Sequence, residues 1–139
     1  MYNIEDVKDT ILCGDANEIL STLPDESIRL AICSPPYWHT RDYKLGSDEL
    51  GHEKSVDDYI SRLCNIFHKV KDVLTRDGSL WVVIGDKIDG DMAGVPERFV
   101  LEMQKHGWIR RRTIIWHKPS CKPQSVHNAF TVDFEYFYW

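Results

Sequence analysis

The sequence predicts an α/β fold, built on a sheet with helices on both faces. Three observations predict it. Short apolar runs alternate with amphipathic stretches along the chain. Ser79 to Ile84 (SLWVVI) is continuously apolar, as strands are when both faces of their sheet are covered. The stretch from Ser55 to Leu74 repeats apolar residues at helical spacing, at Val56, Tyr59, Ile60, Leu63, Ile66, Phe67, Val70, Val73 and Leu74.

The other elements follow in order. Asp9 to Cys13 reads as a short strand ending at Gly14-Asp15, and Ala16 to Leu23 as a short helix closed by Pro24. Ile28 to Cys33 (IRLAIC) is a strand that must turn at Pro35-Pro36, because two prolines cannot continue a central strand. Thr40 to Lys54 is a polar loop. Ser55 with Asp58 is a variant of the capping pattern that opens the long helix, and Asp77-Gly78 is the turn after it. Pro96 suits a first helical turn and Gly107 its stop. Trp108 to Trp116 and Phe134 to Trp139 (FEYFYW) complete the strands. An aromatic strand at an open sheet edge invites pairing, so it is expected either to meet a partner or to continue into further sequence.

At 139 residues, 42% of them hydrophobic, the chain can bury one core. No apolar run spans a membrane and no secretory leader is visible. The cysteines Cys13, Cys33, Cys64 and Cys121 show no metal-type pairing, so a reduced, cytoplasmic protein without a metal site is expected. The net charge of −5 excludes binding nucleic acid through bulk positive charge. The charge is uneven, however. Six Lys or Arg and no acid lie between Gln104 and Gln124. That strip suits either a solvated face or a phosphate contact.

Ser34-Pro35-Pro36-Tyr37-Trp38, directly after an apolar strand, is the sharpest chemical feature. Ligands of open α/β sheets bind outside the carboxyl ends of strands. Two prolines give a rigid frame without N–H donors. Ser34 adds a hydroxyl, and Tyr37 and Trp38 add flat apolar faces. The set suits a planar ring bearing an amino group. A Pro-rich turn with aromatics packed inward would use the same residues.

The segments ILCGDANEIL, LPDESIRLAICSPPYW, the Ser55 to Leu74 helix, DGSLWVVIGD and GWIRRRTIIWHKPSCKP occur in an order that resembles the amino-directed DNA methyltransferases. The resemblance is to their permuted β group, of the Ser-Pro-Pro-Tyr type, in which the catalytic motif precedes the cofactor glycine motif. It implies a Rossmann-like methyltransferase fold, S-adenosylmethionine as cofactor, double-stranded DNA as partner, and a restriction-modification setting. It further implies that the target base leaves the helix stack. Tyr37 would stack on that base, while Ser34 and the Pro35 carbonyl, framed by Pro36, would bond its amino group. Ser34, where Asp is usual for adenine enzymes, points to N4 of cytosine, with N6 of adenine as the other target.

Asp15 suits the cofactor's adenosine and equally a helix cap. Asp86 suits the same cleft and equally a turn. Trp38, Arg41, Trp116, His117 and Lys118 are candidates for the base pocket or DNA, and Lys118 and Lys122 for phosphates. Glu135 matches an acidic position of the family, with a structural role expected. A Phe-x-Gly-x-Gly-type cofactor loop and a target-recognition region are missing from residues 1–139. The resemblance therefore implies the catalytic-motif half of a methyltransferase domain. That half belongs to a fragment, to a split enzyme with a second polypeptide, or to a non-catalytic base-binding module.

Overall fold

The computed structural model describes residues 2–139, apart from 47, 87, 90, 122–126 and 129. Two short helices, α1 (Ile4–Val7) and α2 (Ala16–Leu20), precede strand β1 (Ile28–Cys33). The long helix α3 (Val56–Val73) leads directly into β2 (Leu74–Ile84). A two-residue hairpin follows, β3 (Ile88–Asp89) and β4 (Asp91–Met92), then α4 (Val95–Lys105), β5 (Thr113–His117) and β6 (Phe134–Tyr138).

The expected helices form where the sequence places them. Ser55 caps α3 by accepting the Asp58 N–H at 3.1 Å, and its hydroxyl donates to the Asp58 carboxylate at 2.7 Å. Pro96 lies in the first turn of α4, and Gly107 follows its end at φ +80°. Tyr59, Ile60, Leu63, Cys64, Phe67, Val70 and Val73 form the buried face of α3. Val95, Phe99, Val100 and Met103 of α4 meet it, with Phe67 and Phe99 rings 5.4 Å apart. Each such side chain contributes about 1.5–3 kcal/mol on burial.

The main sheet has the order β1-β2-β6-β5. β1 and β2 are parallel, while β6 runs antiparallel to both β2 and β5. The sheet is therefore mixed. The C-terminal aromatic strand, expected at an open edge, lies inside it with a partner on each side. Ile28 pairs with Leu74 but Leu30 with Ser79, so residues 75–78 bulge out of the β1–β2 ladder. Gly78 makes the bulge possible, since a Cβ there would lie 2.8 Å from the Thr75 carbonyl oxygen.

Three other expectations change. Asp9 to Cys13 is not a strand, and Ile11 is 98% exposed. A strand needs a neighbour for its backbone groups, and among the described residues none lies alongside. Residues 108–112 precede β5 rather than belonging to it. There the backbone N–H groups of Arg111 and Arg112 donate to the Trp139 carbonyl at 2.6 and 2.9 Å. Finally, the two long helices share one face of the sheet. Ala31, Cys33, Leu80, Val82, Ile84, Tyr136 and Tyr138 all pack with α3 and α4. The opposite face carries Leu30 and Ile32, both exposed, and Trp81, whose ring stacks on Trp139 at 5.0 Å.

Candidate active site

Strand direction decides what meets at the site. β1, β2 and β5 end at the same edge of the sheet, and β6, being antiparallel, begins there. The edge therefore gathers Ser34–Trp38, Gly85–Asp86, Trp116–Lys118 and Phe134–Glu135. This is the carboxyl edge at which open α/β sheets bind ligands.

Pro35 is buried and Ser34 exposed. The Tyr59 hydroxyl, on α3, donates to the Pro36 carbonyl at 2.8 Å. The Tyr37 ring lies over Gly85, where a Cβ would come within 2.8 Å of Tyr37 Cε2. The Ser34 hydroxyl donates to the Tyr37 oxygen at 3.3 Å. Glu135, whose charge acts on Tyr37, forms an ion pair with Lys118. Burial first, and the Glu135 charge with it, push the Tyr37 phenol up to about 12, so it keeps its proton. The Lys118 ammonium also sits 5.2 Å over the Trp116 ring.

The loop behind the motif is held by two buried carboxylates. Glu49 accepts the N–H groups of Tyr43 and Leu45 at 2.7 and 3.1 Å. Glu53 accepts the Gly51 N–H at 2.9 Å and pairs with Arg62 of α3 at 2.6 Å. The Arg62 guanidinium also donates to the Asp48 carbonyl at 2.8 Å. The His39 N–H closes the loop onto the Gly51 carbonyl at 2.7 Å. The polar loop is thus strapped to the long helix.

The structure brings Ser34, Pro35, Pro36, Tyr37, Trp116, His117 and Lys118 to the one edge. Trp38 joins them in the chain, but its indole N–H donates to the Glu53 carbonyl at 3.0 Å and its ring packs on the core. Lys118 faces Glu135 rather than open solvent. His117 is exposed and lies 3.4 Å from the Asp133 carboxylate. Arg41 is exposed on the loop. Asp15 caps α2, accepting the Asn17 N–H at 2.8 Å. Asp86 accepts the Gly94 and Val95 N–H groups at 2.8 and 3.0 Å, capping α4. Lys122 lies outside the described residues.

Sequence reasoning missed the parts played by Tyr59, Gly85 and Glu135. Tyr59 falls on the apolar stripe of α3 and reads as plain core. Gly85 reads as the end of a strand. Glu135 pairs across β5 and β6 with Trp116, a relation no local pattern reveals.

The sequence model of the DNA methylases that act on N6 or N4 amino groups matches residues 28–139. The chain belongs to this DNA methylase family. The Type II methyltransferase M.SfiI of Streptomyces fimbriatus is 41% identical over 140 residues, covering 88% of this chain and 33% of that protein. M.Cfr9I of Citrobacter freundii is 33% identical over 159 residues, covering 93% of this chain and 53% of that protein. The chain therefore spans about a third to a half of the length of these two relatives.

Two solved structures share the fold of this methylase chain. A DNA modification methylase from Thermus thermophilus, complexed with S-adenosyl-L-methionine, superposes with a TM-score of 0.71 at 26% identity, covering 90% of this chain and 52% of that one. The cytosine-N4-specific PvuII DNA methyltransferase superposes at 0.76 with 21% identity, covering 94% of this chain and 48% of that one. The fold is thus the Rossmann-like methyltransferase fold. No helix among the described residues is long and apolar enough to cross a membrane.

Proposed function

We propose that this chain carries the base-binding and amine-orienting part of a DNA methyltransferase that methylates N4 of cytosine in double-stranded DNA. One observation carries the reading. An exposed Ser34 stands at the carboxyl end of β1, in a frame held by Tyr59 and Gly85, inside the segment matched by the family. S-adenosylmethionine, bound by the Thermus neighbour, is the methyl donor in this reading and supplies an electrophilic sulfonium methyl.

The chain's own residues act on the base. Extruding it from the duplex costs a few kcal/mol, offset by stacking in the pocket. A free ring amine is a poor nucleophile because its lone pair is delocalised into the ring. Ser34 Oγ and the Pro35 carbonyl, accepting its N–H groups, would turn that lone pair out of the ring plane. Fixing this geometry supplies much of the rate. Toward the cofactor, Asp15 is exposed, and its cap bond to Asn17 uses Oδ1. A carboxylate has further lone pairs for an adenosine amino group or hydroxyl. Asp86 accepts one N–H of α4 on each oxygen and, at the end of β2, lines the same cleft toward the cofactor. The Ser at position 34 and the cytosine-N4 neighbour favour cytosine over adenine. The strip at Trp116, His117 and Lys118, with Arg41, flanks the pocket for DNA.

The test is methyl transfer from labelled S-adenosylmethionine to DNA by a reconstituted or full-length enzyme that contains this chain, followed by nucleoside analysis. N4-methyldeoxycytidine, lost on Ser34→Ala, is the expected product. N6-methyldeoxyadenosine would change the substrate, and full activity of Ser34→Ala would remove Ser34 from catalysis. Absence of any methylated nucleoside with that wild-type enzyme would sink the reading.

A further inference from the structure

Glu53 is buried on the return arm of the loop, and the base-methylation reading gives it no task. Burying a carboxylate is costly, and an ion pair often does no more than offset that cost. Stability alone is therefore a weak reason for a carboxylate at this place. Its contacts supply another. Oε2 accepts the Gly51 N–H at 2.9 Å, and Oε1 accepts from the Arg62 guanidinium of α3 at 2.6 Å. The Glu53 backbone carbonyl accepts the Trp38 indole N–H at 3.0 Å. The Gly51 carbonyl in turn accepts the His39 N–H. At φ +105°, Gly51 lies so close to the motif that a Cβ there would stand 3.2 Å from the Tyr37 carbonyl oxygen. Tyr37 is thus gripped from two sides, its carbonyl against Gly51 and its ring against Gly85. Gly85 is fixed at the end of β2. Gly51 is fixed by the bracket that Glu53 and Arg62 form on α3.

We propose that Glu53 is a positioning residue for capture of the extruded base: by pinning Gly51 to Arg62 it sets the Tyr37–Trp38 backbone, and with it the plane in which Tyr37 stacks. The inference rests on the base-methylation reading. A base that has left the duplex is held by stacking, which offsets the lost pairing. A ring that is free to tilt stacks less well, so the base returns to the helix more often. Glu53→Gln keeps the size of the side chain but breaks the bracket. Its one acceptor oxygen can face Gly51 or Arg62, and its NH2 group then meets the other donor.

The experiment is single-turnover methyl transfer by a reconstituted or full-length enzyme that contains this chain. The DNA is a duplex of the sequence that the wild-type enzyme methylates, compared with the same duplex carrying an abasic site opposite the target base. Removing the pairing partner makes extrusion nearly free, so a defect in capture is masked there, while a defect in folding or chemistry is not. Glu53→Gln is expected to be about tenfold slower than wild type on the paired duplex and within about threefold on the unpaired one. Arg62→Met, at a half-exposed position, should show the same pattern and decides the matter if Glu53→Gln does not fold. Arg62→Lys keeps a cation for Glu53 and should restore most of the paired-duplex rate. Equal slowing on both duplexes overturns the proposal. So do wild-type rates on the paired duplex for both Glu53→Gln and Arg62→Met. A wild-type enzyme that methylates no DNA ends the base-methylation reading and this inference with it, whereas the other two outcomes end this inference alone.

Discussion

The Tyr59 hydroxyl donates to the Pro36 carbonyl at 2.8 Å, joining the longest helix to the Ser-Pro-Pro-Tyr loop across 23 residues of sequence. The Tyr59 ring is fully buried, and burial holds the phenol well above its ordinary value, so the donor stays protonated. Tyr59→Phe keeps the ring and removes only that bond. It should cost about 1 kcal/mol, the net worth of one buried hydrogen bond, read as a lower urea midpoint with unchanged slope. An unchanged midpoint would mean that the bond contributes nothing to holding the loop.

Gly85 is the floor under Tyr37. Gly85→Ala places a methyl group 2.8 Å from Tyr37 Cε2. The ring must lift, and overpacking of this kind costs about 1–3 kcal/mol. The expected result is a lower Tm. A variant with wild-type Tm would show that Tyr37 has room to spare.

Glu49 makes the loop pH-sensitive. The Tyr43 N–H foremost, with Leu45 N–H and His52 adding, holds its carboxyl below the ordinary 4.5, against the opposing effect of burial. The depressed folded value means that the stabilisation is complete above 4.5 and is lost as pH falls through that lower value. The Tyr43 and Leu45 amide resonances should shift together with one acidic midpoint below 4.5, and Glu49→Gln should abolish that transition. Amides that ignore pH in the wild type would contradict the assignment.

The thiols should differ in reactivity. Burial pushes Cys33 up to about 11 and Cys64 up to about 12, whereas Cys13 is exposed. Thiolate is the reactive form, so iodoacetamide near pH 8 should label Cys13 well before Cys33 or Cys64 in the native protein, as read by peptide mass spectrometry. Equal labelling of all three would mean that the β1–α3 core opens readily.

Local pattern determined a good part of this protein. The apolar spacing from Val56 to Leu74 and the Ser55 cap specify α3, because a helix is built from contacts three and four residues apart. Pro96 and Gly107 bound α4 through backbone geometry that each residue carries with it. The rigid Ser-Pro-Pro-Tyr turn after β1 is legible for the same reason. The tertiary structure alone decided the rest. Asp9 to Cys13 has strand-like composition but pairs with no neighbour among the described residues, and the aromatic strand β6 finds two. Strand pairing is made between distant residues, so composition cannot say which strand is central. Lys118, on a basic strip, is turned to Glu135, and Glu135 to Tyr37, only because an antiparallel strand starts where parallel strands end. The type of each side chain was present in the sequence. The direction of its hydrogen bond belongs to the fold.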